Sequence, residues 1–470
     1  MPFDHQRCSR GRRLRGSLDL SRLMLRALLI LTFFAFIASA QSQKVQDDLE
    51  RASQLIRSNH FAEAEQQLNS VLRALPNNVT ALNLLGTIRA QQGKLNEAES
   101  LLTRAAKLDP QSASAHMNLA FLFMLKHAPE KAVAELKEVV KLEPENVEAN
   151  YKLARLLLSR GQTDESIIVC ETAKSITSAS GIFLPLLGDA YLRKGNAEQA
   201  EENYRSALAA QPNNVEALLG MAKISQSRAD LKTATDYVAR ARELAGNSAD
   251  ISYKVGATAM SLGLFEQAQP ALEQAVKLSP REPAYLIALG AAWLKKADLF
   301  TAEGIFRQAI AAQPDNAQAQ MYLGYVLYKQ KKYAEAKGYL EQSLKSDAQI
   351  SESAYYLGVI LQEENEDERA NVLLERAIQI SPSFANAHIA LGAGYLKLKD
   401  YRRAQTELEL GVKLNPDDSK GHYQLALLYA RLKDPQRAQA EMQIVEKLKA
   451  AEQSQKKEGD TFVIAPPNSL

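Results

Sequence analysis

Three histidines are the first candidates for chemistry in this chain. His388 and His422 stand 34 residues apart, and His116 lies a whole multiple of 34 before them. Imidazoles stacked at such a period can bind a metal, but a zinc-type site needs further nitrogen, sulfur or carboxylate ligands. No cysteine or third ligand accompanies these three, so packing histidines with satisfied hydrogen bonds are expected and no metal is. The two cysteines, Cys8 and Cys170, form neither a CxxC pair nor a disulfide framework. There is no HExxH and no phosphate loop, and Gly392-Ala393-Gly394 reads as a fragment of a helix. The sequence therefore points to no catalytic residue, no cofactor and no enzyme.

The chain has 470 residues, 46% hydrophobic and 24% charged, with a formal net charge of +2. That composition is globular, and the length calls for several domains or a repeat array. The charge is uneven. Residues 1–40 hold seven arginines, no lysine and two acids; without them 50 basic residues face 53 acidic ones, a net of −3. The basicity belongs to the leader, so nucleic acid is not an expected partner. After Arg26 the run ALLILTFFAFIASA ends in Ala38-Ser39-Ala40. A basic start, a short apolar middle and a small-x-small end make residues 1–40 a secretory signal peptide, with Met24 as an alternative start. The rival is an inner-membrane anchor over an uncleaved 23–40, although the run falls short of the roughly 20 apolar residues that span a bilayer. Arg12-Arg13 fits an ordinary basic leader better than a twin-arginine signal, and no cysteine stands at the cleavage point for a lipid. The expected location is outside the cytoplasm, in a bacterial periplasm.

The elements behind this leader are set by a period. Pro76, Pro110, Pro144, Pro212, Pro280, Pro314, Pro382 and Pro416 all fall on one 34-residue lattice. With proline at position 32, twelve units run without insertion from 45–78 to 419–452, after a linker at 41–44 and before a tail at 453–470. Position 8 is glycine or alanine in every unit, and position 20 is alanine or Ser166. Small residues recurring inside helices mark the close approach of another helix. His116, Leu119, Ala120 and Phe123 give the i, i+3, i+4, i+7 stripe of a first helix. A turn follows at positions 14–18, often with glycine, and a second helix ends at the proline. Pro129 and Pro435 suit the first turn of a helix, whereas Pro185 is expected to kink one. Ser178, Gly246, Ala348 and Ala450 replace the proline; Ala450 should let the last helix run on, before a tail disordered from Gly459.

This pattern resembles the tetratricopeptide repeat, a 34-residue helix-turn-helix unit. The resemblance covers the twelve units. It implies an all-α protein, an α-solenoid of twelve stacked units wound into a right-handed superhelix, with stability near-additive in repeats and their interfaces.

Function then rests on surface. At about 100° per residue, positions 2, 5, 9, 12 and 13 of the first helix cluster roughly 140° from the packing stripe. In the resembling family this face lines a concave groove that binds extended peptides or partner helices. Here it carries Met117, Phe121, Met124, Leu125, Tyr151, Arg155, Tyr253, Met260, Met321, Tyr325, Tyr328, Lys329, Tyr355, Tyr423 and Arg431. Position 13 is basic at Arg57, Arg193, Lys295, Lys329, Lys397 and Arg431. An idle solvated face should be polar, so large apolar groups there suggest a covered surface, shared between neighbouring helices and a partner. The carboxylate clamp known in the family needs Lys at position 5 and Asn at position 9, and no repeat has either. The expected function is an exported scaffold binding a protein or extended peptide in cell-envelope assembly or secretion. One alternative is an accessory protein binding acidic glycan or exopolysaccharide through tyrosines and lysines. Another is a non-catalytic subunit of an enzyme complex.

Overall fold

The computed structural model describes residues 43–177 and 180–455. The expected export segment 1–40, Ser178 and the tail beyond Gln455 lie outside them. The described residues form α-helices joined by short turns, with one 3-10 turn and no strand. The helices fall in pairs on a 34-residue period: Val79–Gln91 with Leu95–Leu108, Ala113–Leu125 with Pro129–Leu142, and so on to Ser419–Arg431 with Pro435–Gln455. Among the described residues no helix is long and apolar enough to cross a membrane.

Local chemistry explains each boundary. Position 34 caps the first helix of the next unit: the side-chain oxygens of Asn78, Asn146, Asn214 and Asn316 accept from backbone amides three residues on, at 2.8 to 3.0 Å. Position 15 bends the chain back into the second helix with a positive φ of 51° to 80° in all twelve units. Four of these corners are glycines, but Asn59, His127, Ala229, Ala297, Lys331, Asn365, Lys399 and Lys433 adopt the same left-handed conformation. Pro129 and Pro435 each begin a helix. Pro185 does not kink one. It sits in the first turn of Leu184–Arg193, which starts late behind a 3-10 turn at Ser180–Phe183. At Gly246 the missing proline coincides with a longer helix, Leu231–Ala245, and past Ala450 the last helix runs on to Gln455.

The contacts divide the chain into two compact units, 1–200 and 201–470. In the first, Ala98, Leu102 and Ala105 of one second helix meet Leu82, Ala115 and Leu119 in a continuous apolar layer. The same layering recurs in the second, where Phe306, Tyr322, Leu323 and Leu340 are core residues. Position 8 matters because position 24 packs on it. A Cβ at Gly290 would lie 2.6 Å from the Phe306 ring, and one at Gly324 2.6 Å from Leu340. Polar links tie successive repeats together. Arg89 forms two bonds to the Glu65 carboxylate, at 2.9 and 2.5 Å. In the last repeats Tyr395 donates to Glu375 and Tyr429 to Glu409, while Arg403 and Arg437 lie 4.2 and 4.5 Å over those two rings.

Candidate partner-binding surface

On helix Ala113–Leu125 of the first unit, Met117, Phe121 and Leu125 occupy positions 5, 9 and 13, one line along the helix. Met117 is half-buried against Ala120, Leu136 and Leu153, and Met124 against Phe123 and Leu122. Phe121 is half-buried too, and the Lys152 ammonium stands 4.6 Å above its ring. Leu125 is 57% exposed, so the line runs from packed to open. Tyr151 packs on the core, 6.4 Å from Phe183, and Arg155 is exposed.

In the second unit the rings cluster more closely than the sequence suggested. Tyr253 stacks obliquely on Tyr285 at 4.9 Å, and Met260 packs beside it. Tyr285 donates to Asp250, a bond that with burial pushes its phenol up to about 12. Further on, Tyr325 lies 4.9 Å from Tyr356, and Tyr328 sits 5.7 Å from Tyr356 and 6.0 Å from Tyr333. Tyr355 is 4.9 Å from both Tyr356 and Phe384. Burial, reinforced by neighbouring phenols, raises the Tyr325 and Tyr355 hydroxyls well above the ordinary tyrosine range. Both therefore present neutral hydroxyls at ordinary pH.

Here the structure corrects the sequence reading. Met321 and Tyr325 are only 8% and 5% exposed, covered by the neighbouring helices rather than left for a partner. Tyr328 and Tyr355 are half-buried, and Lys329 is exposed. The basic position 13 is also less available than its residue types imply. Lys397 is paired with Asp367 at 2.9 Å, Arg193 donates to the Leu158 carbonyl, and Lys295 lies 5.6 Å from the Phe265 ring. Arg57, Lys329 and Arg431 remain exposed.

The open counterpart of the aromatic cluster is on helix Ser419–Arg431. Tyr423 and Leu427 are 42% and 39% exposed, Arg431 is exposed, and the three lie at positions 5, 9 and 13. Tyr356, Tyr333 and Phe384 were not singled out from the sequence because positions 6, 17 and 34 lie off the expected face; the adjacent Tyr355-Tyr356 pair was the available signal. The histidines hydrogen-bond within the fold: His388 Nδ1 is 2.6 Å from Glu407 and its Nε2 2.9 Å from the Pro382 carbonyl. Among the described residues no group of three or more His, Cys, Asp or Glu side chains is placed to hold a metal. Cys170 is buried, and its thiol is pushed up to about 12 by burial, the reverse of a reactive thiolate.

The family models agree with this architecture. Models of the tetratricopeptide repeat match residues 49–113, 253–299, 298–349 and 361–428, and a model of the tetratricopeptide repeat-like domain matches 91–226. Cellulose synthase 1 operon protein C of Komagataeibacter xylinus is 25% identical over 251 residues, which are 53% of this chain and 17% of that protein. This chain thus spans less than a fifth of that relative. Among solved structures, yeast Tom70 is 15% identical, covering 88% of this chain and 97% of that one with a TM-score of 0.42. The APC/C hetero-tetramer Cut9-Hcn1 gives 14% identity, 84% and 92% coverage and a TM-score of 0.43. PilF of Pseudomonas aeruginosa gives 20% identity, 46% and 99% coverage and a TM-score of 0.40. With three repeat models distributed along it and helices paired at the same period, the chain belongs to the tetratricopeptide repeat family.

Proposed function

We propose that this protein is a scaffold that holds a protein partner non-covalently on the face made by positions 5, 9 and 13 of its first helices, and that it works after export, in assembly or secretion at a bacterial cell envelope. The observation that carries the binding face is the exposed line Tyr423, Leu427 and Arg431, with Met117, Phe121 and Leu125 as its counterpart in the first unit. Two apolar side chains followed by a cation suit an amphipathic segment that carries an acid, and burying each large apolar group contributes about 1.5 to 3 kcal/mol. The leader sequence supports export.

The test is capture of partners by the wild-type protein and by a Tyr423→Ser, Leu427→Ser, Arg431→Glu variant of unchanged helicity. Loss of the captured partner supports the face; undiminished capture overturns it. Fractionation of the native host tests the location, and a cytoplasmic pool alone rejects it. A second reading, an accessory subunit of a polysaccharide-making enzyme, is favoured by the similarity to a protein whose name places it in a cellulose synthase operon. Copurification of a catalytic subunit, or binding to acidic glycans that competes with the protein partner, distinguishes that reading.

A further inference from the structure

Repeat position 18 opens the second helix, and in eleven repeats it is charged, polar or alanine; in the eighth it is Phe300. Among the described residues this side chain is 85% exposed, against 65% for the next most exposed large apolar residues, Ile168 and Val372. Phe300 is the second residue of helix Leu299–Ala312. Helical side chains lean towards the N-terminus, so its ring projects over the corner that precedes the helix. A solvent-facing phenylalanine forgoes a large burial free energy.

The surroundings of this ring are cationic. Its own corner carries Lys296, and the corner of the ninth repeat carries Lys329, Lys331 and Lys332, all exposed. The two corners touch: Gln330 donates to the Leu299 carbonyl at 3.4 Å, and Lys332 lies 3.2 Å from Glu303 of the helix that Phe300 opens. Lys296 has a loose contact, 3.8 Å to Glu266, and among the described residues Lys329 and Lys331 make no ion pair. Asp298, the one acid of the two corners, is engaged in the helix cap, where its two oxygens accept from the Thr301 amide and hydroxyl at 2.9 and 2.8 Å. The flanking corners, 261–264 and 363–366, hold no cation, so the patch is confined to these two repeats.

We propose that the corners of the eighth and ninth repeats dock on an anionic lipid surface, with Phe300 entering the layer and the lysines meeting headgroup phosphates. Three features favour a bilayer over an acidic protein. The ring projects rather than lining a cleft. Every cation of the two corners is lysine, a mobile point charge suited to a fluid layer of phosphates, whereas fixed carboxylates are matched better by the planar fork of arginine. An apolar group ringed by cations is also the pattern of an interfacial anchor. Apart from Lys329, at position 13, the patch shares no residue with the proposed partner face, so the two stand or fall separately.

Vesicles of equal parts phosphatidylglycerol and phosphatidylcholine test this on the full chain. Because the leader is itself basic and apolar, the readout is placed at the patch: Phe300→Trp in a Trp293→Phe chain leaves a single indole, at the corner. Its emission should shift to the blue and be quenched by brominated acyl chains in these vesicles, and not in pure phosphatidylcholine. Adding Lys296→Glu and Lys331→Glu should raise the lipid concentration for half-quenching about thirtyfold, since each lysine near such a surface contributes about fivefold. Added salt should act in the same direction. An indole that stays unquenched on vesicles that retain the chain, quenching that is equal on neutral lipid, or indifference to the lysine changes overturns the proposal. Capture of an acidic protein that depends on Phe300 and these lysines, without quenching by lipid, assigns the patch to a protein and overturns it too. Should the Trp293→Phe chain fail to fold, a fluorophore on Phe300→Cys, in a chain also carrying Cys8→Ser, gives the same readout, Cys170 being buried.

Discussion

Gly290→Ala probes the close approach on which every repeat depends. The added Cβ would meet Cε1, Cζ and Cδ1 of Phe306 at 2.6, 2.7 and 3.0 Å, where carbon atoms pack at about 3.5 to 4.0 Å. The ring must therefore retreat by about 1 Å. It has little room to do so, because Phe306 is completely buried and its ring is stacked on Tyr322, with centroids 5.1 Å apart and planes 5° from parallel. Overpacking of this degree costs about 3 kcal/mol, the upper end of its usual range. Replacing a mid-helix glycine by alanine returns about 1 kcal/mol, so the net loss should be about 2 kcal/mol. Gly304, in the second helix of the same repeat, has nothing within 4 Å of its Cβ position, and Gly304→Ala should stabilise by the same propensity of about 1 kcal/mol. The two variants should differ by about 3 kcal/mol, more than a hundredfold in a folding equilibrium. Trp293 is the sole tryptophan of the chain and lies three residues from Gly290, so its fluorescence in a urea titration reports this repeat. Adding Phe306→Val to Gly290→Ala should recover much of the loss, since the sixth repeat pairs Ala222 with Val238 at the same positions, both completely buried. Equal midpoints for Gly290→Ala and Gly304→Ala would refute the reasoning.

Two further outcomes follow from the electrostatics. The Arg89 guanidinium holds the Glu65 carboxyl below its ordinary range, so this link stabilises the fold above that range and is lost as pH falls through the lowered value; Glu65→Gln should flatten the acid limb of thermal stability measured from pH 6 to 3, and an unchanged limb counts against the link. Cys170, in a chain also carrying Cys8→Ser, should react with a maleimide at pH 7 at least about a hundredfold more slowly when native than in urea, because burial disfavours the thiolate; comparable rates would contradict its enclosure.

The helix pairs were legible because three independent signals, the prolines, the small residues at positions 8 and 20 and the apolar stripe, shared one period. Each reports a backbone constraint that side-chain chemistry alone imposes. The corner at position 15 was legible only where glycine marks it; at Ala229 and Lys331 the same φ is enforced by the two packed helices, which no residue type announces. The candidate face was legible as a set of positions but not as a set of exposures. Tyr325 and Tyr423 share residue type and helical face, yet one is 5% and the other 42% exposed, because Tyr356 from the next repeat covers the first. Burial depends on what the adjoining unit brings, and a single repeat's pattern does not contain it.

The left-handed corner also bears on how such a chain changes over generations. Every hairpin closes through one residue at the same index, so a block of 34 residues can be copied or lost without redesign of the joint on either side. The eleventh and twelfth repeats match index for index: His388 and His422, Tyr395 and Tyr429, Arg403 and Arg437 stand at the same positions with matching acidic partners. A surface built on such a period can be lengthened by whole units without redesign of any joint.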